Sequence, residues 1–404
     1  MKWEKVRLGK FITPKKGFAF KSSKYVASGV PIVRVSNFTN DSISNDDLKY
    51  YPLEEKVNFG EFELCEKDVI IQTVGSWQNN PASVVGKVVR VPYYLDGALL
   101  NQNAVKLIPK NSIDNNYLFY RLKTDAFKGH VLGEARGAAN QASITLDTIK
   151  SFEFLIPDKK KQIKIGNILS TYDELIENNQ KQVKLLEEAA QRLYKEWFVD
   201  LRFPGYENTP IIDGVPEGWK KGILGDIAIN VGKKVKKEDR NKYKQYLPID
   251  CLPRKSLAYT ESLNIKLAES SLVSFKPKDI LFGAMRPYFH KVVIAYDKGL
   301  TRNTCFVINA KEREFLSYLT MLLFSDNTIN YATTISVGTT MPYVRLNDFL
   351  NMEIIIPAPH IVKEFEKLFK PISEDIVNFA KQIGVLSEVR DRLLTKLMSG
   401  EIEV

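Results

Sequence analysis

Two stretches decide the fold of this chain: Leu146-Asp147-Thr148-Ile149-Lys150-Ser151-Phe152-Glu153-Phe154-Leu155-Ile156-Pro157 and Leu346-Asn347-Asp348-Phe349-Leu350-Asn351-Met352-Glu353-Ile354-Ile355-Ile356-Pro357. They resemble each other and lie 200 residues apart. The same offset continues without an insertion, as in Glu174 and Glu374, Ile176 and Ile376, Leu186 and Leu386, and Arg192 and Arg392. A repeat of this length is too long for a solenoid unit. It predicts two copies of one domain, each followed by the same helix.

Each half also opens in a similar way. Trp3-Glu4-Lys5-Val6-Arg7-Leu8-Gly9-Lys10 is matched by Trp219-Lys220-Lys221-Gly222-Ile223-Leu224-Gly225-Asp226, at an offset of 216. Short β-branched segments separated by Gly, Pro, Asn and Asp then predict a mixed sheet with a few helices. The predicted strands are 31–35, 69–73, 83–91, 104–108, 279–282, 291–295 and 304–308, and the predicted helices are 116–124 and 312–324.

The segments after Pro157 and Pro357 carry apolar residues at alternating steps of four and three, which is typical of a coiled-coil seam. The predicted seam residues are Ile176, Val183, Leu186, Leu193 and Trp197 in the first segment and Ile376, Ile383, Leu386, Leu393 and Leu397 in the second. Asn179 and Arg390 interrupt the two seams, so we expect them to fix the register or to lie near an open end. Thr171 with Glu174 has capping-box spacing, and Pro371 suits a first helical turn.

A helix packed on its own domain would carry a similar stripe, but two matched seams in one chain favour pairing between the copies. The Pro- and Gly-containing linker lets the chain reverse, which favours an antiparallel pair. The sequence therefore predicts an α+β fold with two pseudo-symmetric domains, each followed by a long helix, the helices pairing as an antiparallel coiled coil. We place the first domain at 1–157, a helical region at 158–200, a linker at 201–218, the second domain at 219–357 and a C-terminal helical region at 358–404.

Composition narrows the function. The chain has 404 residues, 44% of them hydrophobic, and a net charge of +10, which favours a polyanionic partner and most simply nucleic acid, although many basic proteins bind none. Cys65, Cys251 and Cys305 are scattered, and the three histidines lie far apart, so we expect reduced thiols and no metal site. No apolar run reaches transmembrane length and no signal peptide is evident at the start. We expect a cytoplasmic protein that does not bind membranes.

Four segments together resemble the specificity subunit of type I restriction–modification systems. Gly29–Asn37 is similar to the family's early strand in the first target-recognition domain, and Gly214–Trp219 to the start of the second. Lys278–Tyr288 resembles a mid-domain motif, with a weaker counterpart at Lys67–Ile71, and Leu193–Tyr206 resembles the central conserved region. The resemblance covers essentially the whole chain.

This resemblance implies two target-recognition domains, each of which recognises one half of a split, asymmetric DNA sequence. It also implies paired helices that hold the domains apart and dock two methyltransferase subunits, with restriction and motor subunits joining through that assembly. The segment from Tyr172 to Trp197 would span ~38 Å as a helix, close to one duplex turn of ~34–36 Å. One departure is that a Gly-Ser/Thr-x-Gln turn has its Gln at Gln141 in the first copy but lacks it in the second, at 338–342.

The sequence offers little for catalysis. It lacks a methyltransferase's Gly-rich cofactor turn and its Asn/Asp-Pro-Pro-Tyr/Phe motif, and it has no P-loop. An E-x-K triplet at Glu54–Lys56, with Asp46 and Asp47 upstream, has nuclease-like spacing, but a solvated turn is the favoured interpretation. We therefore expect no catalytic residues and no cofactor. Two alternatives stay open: a DNA-modifying enzyme with an unrecognised active site, and a coiled-coil adaptor without sequence readout of its own.

Candidate DNA contacts are cations, amides and hydroxyls in loops, because these groups bind phosphate or base edges. In the first copy they are Arg34, Asn37, Gln78, Asn79, Arg136, Asn140 and Gln141. In the second they are Arg254, Lys255, Arg286, Tyr288, Arg302, Asn303, Thr339 and Thr340. The loop at 73–80 either contacts adenine or is a polar loop whose Trp77 covers a core edge.

An aromatic cluster lies where the first long helix meets the linker: Tyr194, Trp197, Phe198, Phe203 and Tyr206. Some of these side chains close the end of the coiled coil. We predict that the others, among Tyr194, Phe198, Phe203 and Tyr206, form a docking surface for a methyltransferase, because exposed aromatic side chains contribute strongly to interface energy.

Overall fold

The computed structural model describes residues 3–39, 41–45, 47–77, 84–138, 141–269 and 271–404. The chain divides into two compact units. The first comprises Met1–Asp173 together with Glu388–Val404, and the second comprises Glu174–Ser387. These boundaries differ from the predicted ones because each long helix is divided between the units.

The first unit contains the first copy of the repeated domain. Its strands are β1 (Glu4–Arg7), β2 (Ile12–Lys16), β3 (Val30–Val33), β4 (Lys49–Tyr51), β5 (Val69–Gln72), β6 (Val74–Gly75), β7 (Val88–Arg90), β8 (Leu99–Leu100), β9 (Ala104–Pro109), β10 (Arg136–Ala138), β11 (Gln141–Ser143) and β12 (Glu153–Ile156). Its helices are α1 (Asn115–Lys123), α2 (Asp125–Glu134), α3 (Leu146–Ser151) and the start of α4 (Lys159–Tyr194).

The main sheet of the first unit has the strand order β2-β9-β5-β7, and every neighbouring pair is antiparallel. Its core joins sheet residues such as Ile71 and Val105 to α1, α2 and the start of α4 through Tyr117, Phe127 and Leu169, all of them buried. Because β5 is buried on both faces, its first three residues, Val69–Ile71, are all apolar rather than alternating, and the buried Gln72 follows them. A smaller sheet, β4-β3-β8, pairs β3 with β8 in parallel.

The second unit contains the second copy and most of the helix pair. Its strands are β13 (Ile211–Ile212), β14 (Val215–Pro216), β15 (Lys220–Ile223), β16 (Ala228–Asn230), β17 (Lys233–Val235), β18 (Gln245–Tyr246), β19 (Leu263–Asn264), β20 (Leu272–Phe275), β21 (Ile280–Gly283), β22 (Val292–Ile294), β23 (Gly299–Arg302), β24 (Cys305–Ala310) and β25 (Glu353–Ile356). Its helices are α5 (Leu224–Ile227), α6 (Leu316–Phe324), α7 (Asp326–Thr334), α8 (Leu346–Leu350) and most of α9 (Pro359–Ser399).

The two copies share a topology. The order β16-β24-β21-β22 in the second copy matches β2-β9-β5-β7 in the first. In each copy the opening strand pairs antiparallel with the strand before the long helix: Glu4 lies opposite Ile156, and Lys220 lies opposite Ile356. The opening strands of the two copies are 216 residues apart in the sequence, and the strands before the long helices are 200 residues apart. The predicted duplication and the α+β fold class are confirmed.

The long helices begin earlier than their seams. Helix α4 begins at Lys159, where the Asp158 carboxylate accepts a hydrogen bond from the Lys161 backbone N–H at 3.1 Å. Thr171 lies inside this helix and donates its hydroxyl to the Asn167 carbonyl, so the predicted capping role is wrong. Helix α9 begins at Pro359, and Pro371 lies in its interior rather than in its first turn. Spacing alone did not separate a cap from an interior position.

Within the second unit α4 and α9 run antiparallel. The Asn179 amide nitrogen donates to the Gln382 side-chain oxygen at 3.0 Å, and the Trp197 and Phe365 rings lie 5.8 Å apart. Ile176, Val183, Ile376 and Ile383 are buried between the helices, with Leu186, Leu193 and Leu386 partly buried beside them. Leu393 and Leu397 instead join the core of the first unit.

Candidate DNA interface

Three segments of the second unit meet at the end of β21. The Ala284 amide donates to the Thr304 carbonyl at 2.9 Å, and the Val344 amide donates to the Ala284 carbonyl at 2.9 Å. The Arg286 amide donates to the Pro342 carbonyl at 2.7 Å. Residues 284–290, 302–304 and 337–343 therefore form one border of the domain, which we call the second three-segment edge.

The first unit builds the same arrangement at the end of β5. The Thr73 amide donates to the Asn103 carbonyl at 2.9 Å, and the Ile144 amide donates to the Thr73 carbonyl at 2.9 Å. Strand β11 pairs with β6, which sets Ser143 opposite Val74. Residues 73–77, 101–103 and the described part of 136–143 form the first three-segment edge. Both copies thus bring together loops that lie far apart in sequence.

Arg286 is the central side chain of the second edge. Its backbone has a left-handed φ of 50°, which turns the chain sharply after β21. The guanidinium donates to the Thr340 carbonyl at 3.2 Å, and its Nε has no hydrogen-bond partner among the described residues. Tyr288 beside it is 49% exposed. The structure therefore brings the predicted residues Arg286, Tyr288, Thr339 and Thr340 together.

Further cations extend this edge. The Arg254 guanidinium lies 3.9 Å from the centroid of the Phe289 ring, and the Lys255 amide donates to the His290 carbonyl at 2.8 Å. Arg302 is exposed and donates from Nε to the Tyr246 hydroxyl at 2.6 Å, beside exposed Asn303. Positive charge concentrated at one border suits a phosphate backbone.

Three exposed apolar side chains of the second edge, Val337, Met341 and Tyr343, were not predicted. Met341 is 55% exposed and Tyr343 is 46% exposed, in the hairpin that packs on Arg286. Composition rules that search for cations and amides do not select such residues. They lie beside the predicted contacts because the fold brings the segments 284–290 and 337–343 together.

The first edge carries amides. Arg136 and Gln141 are exposed at the two ends of the β10–β11 hairpin, and Gln102 is exposed on the neighbouring segment. Gln102 was not predicted, although an offset of 201 matches it to the candidate Asn303. Trp77 is partly buried against the core of the first unit, as expected if it covers a core edge. Gln78, Asn79 and Asn140 lie outside the described residues.

Arg34 and Asn37 lie elsewhere in the first unit and have structural contacts. Asn37 is only 3% exposed, and its side-chain oxygen accepts a hydrogen bond from the Arg34 amide at 3.0 Å. The Arg34 guanidinium donates to the Asp47 carbonyl at 2.8 Å. These bonds hold a turn after β3, so burial keeps Asn37 away from DNA. The sequence indicated an amide in a loop but not its burial.

Most of the predicted docking aromatics are buried in the second unit. Tyr194, Phe198 and Phe203 are 7%, 8% and 3% exposed. Phe198 packs edge-on against Tyr318 and Phe365, with ring centroids 4.8 and 4.9 Å away. Burial raises the pKa of the Tyr194 hydroxyl above its usual value. These three side chains therefore stabilise the core at the end of α4, whereas Tyr206, 42% exposed, remains on the surface.

Lys56 of the E-x-K triplet and its neighbour Glu55 are engaged in surface ion pairs. Lys24 pairs with Glu55 at 2.9 Å and Lys56 with Glu63 at 2.9 Å, which makes the Glu54–Lys56 turn part of a surface ion-pair pattern. His290 is buried, its Nε2 lies 2.9 Å from the Phe324 carbonyl oxygen, and burial lowers its pKa. In the described part of the chain, no cluster of His, Cys, Asp and Glu has the arrangement of a metal site. Likewise, no helix among those residues has both the length and the apolar content needed to span a membrane.

Comparison with known proteins now identifies the family. The sequence profile of the type I restriction modification DNA specificity domain matches residues 1–188 and 216–383, one match for each copy. The chain belongs to this family. A similar protein is the type I restriction enzyme MjaIX specificity subunit of Methanocaldococcus jannaschii, 32% identical over 320 residues, which cover 75% of this chain and 73% of that protein.

Two more distant relatives are also specificity subunits of type I systems. The HindI specificity subunit of Haemophilus influenzae is 23% identical over 388 residues, which cover 78% of this chain and 84% of that protein. The crystal structure of an S subunit from M. genitalium has the same fold, with a TM-score of 0.59 at 15% identity over 98% of this chain and 96% of that one. This chain is therefore a DNA specificity subunit of a type I restriction–modification complex, in which catalysis belongs to other subunits.

Proposed function

We propose that this specificity subunit recognises a split, asymmetric DNA sequence, one half with each three-segment edge. The observation that carries the proposal is that the chain builds the same edge twice and gives it different side chains. Edges with different donors and acceptors select different bases. A composite site made from the two is therefore asymmetric.

In the second half-site, Arg286 is the proposed base contact. A guanidinium can donate two hydrogen bonds to guanine, and the Thr340 carbonyl holds this one in place. Exposed Tyr288 and Met341 offer apolar contact to a thymine methyl group. Arg254, Lys255 and Arg302, with Asn303 and Thr339, are proposed to bind phosphate and fix the domain on the duplex.

In the first half-site, amides take the corresponding place. Gln102 and Gln141 are exposed, and a side-chain amide can pair with adenine through one donor and one acceptor. Arg136 at the start of the same hairpin is proposed to contact phosphate or guanine. Gln78 and Asn79 follow the segment 73–77 in the sequence, Asn140 precedes Gln141, and all three remain candidate base contacts.

The proposed complex contains two methyltransferase subunits, one for each half-site, and restriction and motor subunits that join through them. Each methyltransferase would act on an adenine that is flipped out of the stack. The exposed surfaces of α4 and α9, with Tyr206, are the proposed docking surface. We place the complex in the cytoplasm, where it meets the chromosome and incoming DNA.

The deciding experiment is a methylome. A methylation-free host would express this chain with its neighbouring methyltransferase, and the control host would express the methyltransferase alone. We expect a split, asymmetric adenine-methylated motif only when both proteins are present. Replacing residues 1–157 with the corresponding domain of another specificity subunit should then change one half of the motif and leave the other intact.

The coiled-coil adaptor makes a different prediction. It would join the methyltransferase in a stable complex and yet produce no motif. That result would contradict sequence recognition by this chain. Methylation by the isolated chain would instead support a modifying enzyme.

A further inference from the structure

We infer that each DNA-reading domain is oriented by a charged residue on the long helix of the other copy: Arg390 of α9 for the first domain and Glu187 of α4 for the second. This inference rests on the proposed reading of two half-sites. We call the two contacts the Arg390 clasp and the Glu187 clasp.

The Arg390 clasp lies within the first unit. The Arg390 Nη1 donates to the Asp41 carboxylate at 3.1 Å and to the Asp173 carboxylate at 2.8 Å, and the side chain is only 14% exposed. Asp173 on α4 also accepts hydrogen bonds from Arg90, at 3.2 Å, and from the Tyr120 hydroxyl. Arg390 thus joins a loop of the first reading domain to the buried acid of α4.

Charge favours this contact. Burial raises the pKa of the Asp41 carboxyl, but Lys123 and Arg390 outweigh burial and hold that pKa below its usual value. The carboxylate therefore stays ionised against the guanidinium near neutral pH. The Arg390 and Asp173 side chains are 14% and 8% exposed, so their attraction is stronger than that of a surface pair, whereas Asp41 is 36% exposed and its attraction to Arg390 is partly screened by water.

The Glu187 clasp lies within the second unit. Glu187 is 6% exposed, and its Oε1 accepts hydrogen bonds from the Ser256 hydroxyl and from the Leu257 amide, both at 2.7 Å. The neighbouring Lys255 amide donates to the His290 carbonyl, at the end of the segment 284–290 of the second edge. Residues 255–257 therefore connect Glu187 on the helix to the second three-segment edge through hydrogen bonds.

The clasps occupy equivalent places in the two copies. The Asp41 backbone carbonyl accepts a hydrogen bond from the backbone amide of Arg90, the last residue of β7, at 3.2 Å. The Leu257 carbonyl accepts one from Ile294, the last residue of β22, at 2.8 Å. Strand β7 pairs with β5, which leads into the first three-segment edge. Strand β22 pairs with β21, which leads into the second three-segment edge. Each clasp therefore acts on the strand pair that carries a reading edge.

The chemistry of the clasps differs between the copies. At the offset of 200, Glu187 of α4 corresponds to Ser387 of α9, and Arg390 of α9 corresponds to Ala190 of α4. A basic helix residue meets an acidic loop in one case, and an acidic helix residue meets hydroxyl and amide donors in the other. Each helix residue therefore suits one domain and not its counterpart.

The test uses the full chain with its methyltransferase in the methylation-free host. Variants R390A and E187A are compared with R392A and E188A, which remove the exposed partners of the repeated Glu188–Arg192 and Glu388–Arg392 pairs. The readout is methylation at near-cognate sites with one substituted base, relative to the cognate site. The exchange of residues 1–157 assigns each half of the motif to a domain.

We expect R390A to raise relative methylation at sites substituted in the half read by the first domain, on the order of tenfold for the loss of a charge-assisted contact. E187A should relax the other half. E187Q keeps the accepting oxygen and should restore discrimination. A variant that only lowered the amount of folded protein would reduce methylation at all sites equally.

Several outcomes would overturn the inference. Relaxation of both halves by one variant, relaxation of neither half by both variants, or equal effects of R392A and E188A would each contradict it. If R390A does not accumulate, D41N removes the loop charge of the same clasp and should relax the same half. A wild-type chain that produces no split motif would instead contradict the proposed function.

Discussion

At the scale of the residue, Glu187 is a buried carboxylate whose contribution to stability depends on pH. Burial raises the pKa of its carboxyl, and the hydrogen bonds from Ser256 and Leu257 offset burial only in part. The folded chain therefore holds this proton more tightly than the unfolded chain. The contribution of Glu187 to stability is greatest below the unfolded pKa of about 4.3 and is lost as the pH rises through the folded pKa.

The variant E187Q should expose this dependence. Glutamine keeps the accepting oxygen but does not titrate, so the melting temperature of E187Q minus that of the wild type should increase as the pH rises above about 4.3. Calorimetric scans across this range measure the difference. E188Q, the same substitution at the neighbouring surface position of the helix, provides the matched control. A difference that shrinks as the pH rises would contradict the assignment.

At the scale of the element, the polar positions of the helix pair have specific partners. Asn179 is 6% exposed and bonds to Gln382 across the pair, which satisfies a buried amide. Pro371 is exposed in the interior of α9, where a proline removes one backbone hydrogen bond from the helix. The Asn179–Gln382 pair therefore favours one register of the two helices. Pro371 weakens α9, and nothing in the structure explains why a proline stands there.

Removing one amide of the polar pair should destabilise the chain. In Q382L the buried Asn179 loses its acceptor, and we expect a loss of about 1–3 kcal/mol in the free energy of unfolding of the second unit. The double variant N179L/Q382L removes both amides and should recover much of that loss. Urea unfolding followed by helical circular dichroism measures both. A double variant less stable than Q382L would contradict the pairing.

Replacing Pro371, in the interior of α9, should increase the free energy of unfolding. P371A restores the backbone donor at an exposed helical position, so we expect a gain of up to about 3 kcal/mol. The same unfolding measurement tests it. A matched control is S373A, two residues further along the same helix, which should change stability much less. A loss of stability in P371A would show that α9 depends on the proline.

At the scale of the whole molecule, electrostatic attraction and base selection should separate experimentally. A lysine that binds phosphate contributes equally on every DNA sequence, and its removal should reduce the slope of log affinity against log salt by about 0.9. An arginine that contacts a base should also change sequence preference. We therefore expect one titration to distinguish the proposed phosphate contacts from the proposed base contacts.

Salt titrations of the full complex on cognate and substituted duplexes provide that test. K255A should weaken binding to all duplexes alike and lower the salt slope by about one. R286A should reduce the preference for the cognate half-site by about 1–3 kcal/mol. A uniform effect of R286A on all sequences would assign it to phosphate instead.

Sequence patterns predicted what recurs along the chain. The offsets of 200 and 216 identified the duplication and both long helices, because each depends on local periodicity or on direct comparison of the copies. They did not predict that the two end strands of each copy pair with each other. They did not indicate that Asn37 is buried, that Gln102 and Met341 lie on the edges, or that Arg390 contacts Asp41. Those facts depend on contacts between residues far apart in the chain, which no local pattern encodes.

The pairing of β1 with β12, and of β15 with β25, places the two ends of each domain side by side. A module whose ends adjoin behaves in a gene like a cassette. Recombination that replaces everything between those strands leaves the path of the flanking helices unchanged. We therefore expect that exchanges at the two ends of a domain transfer a DNA specificity as a whole unit. On the inference drawn above, Glu187 and Arg390 limit which of these units the scaffold accepts.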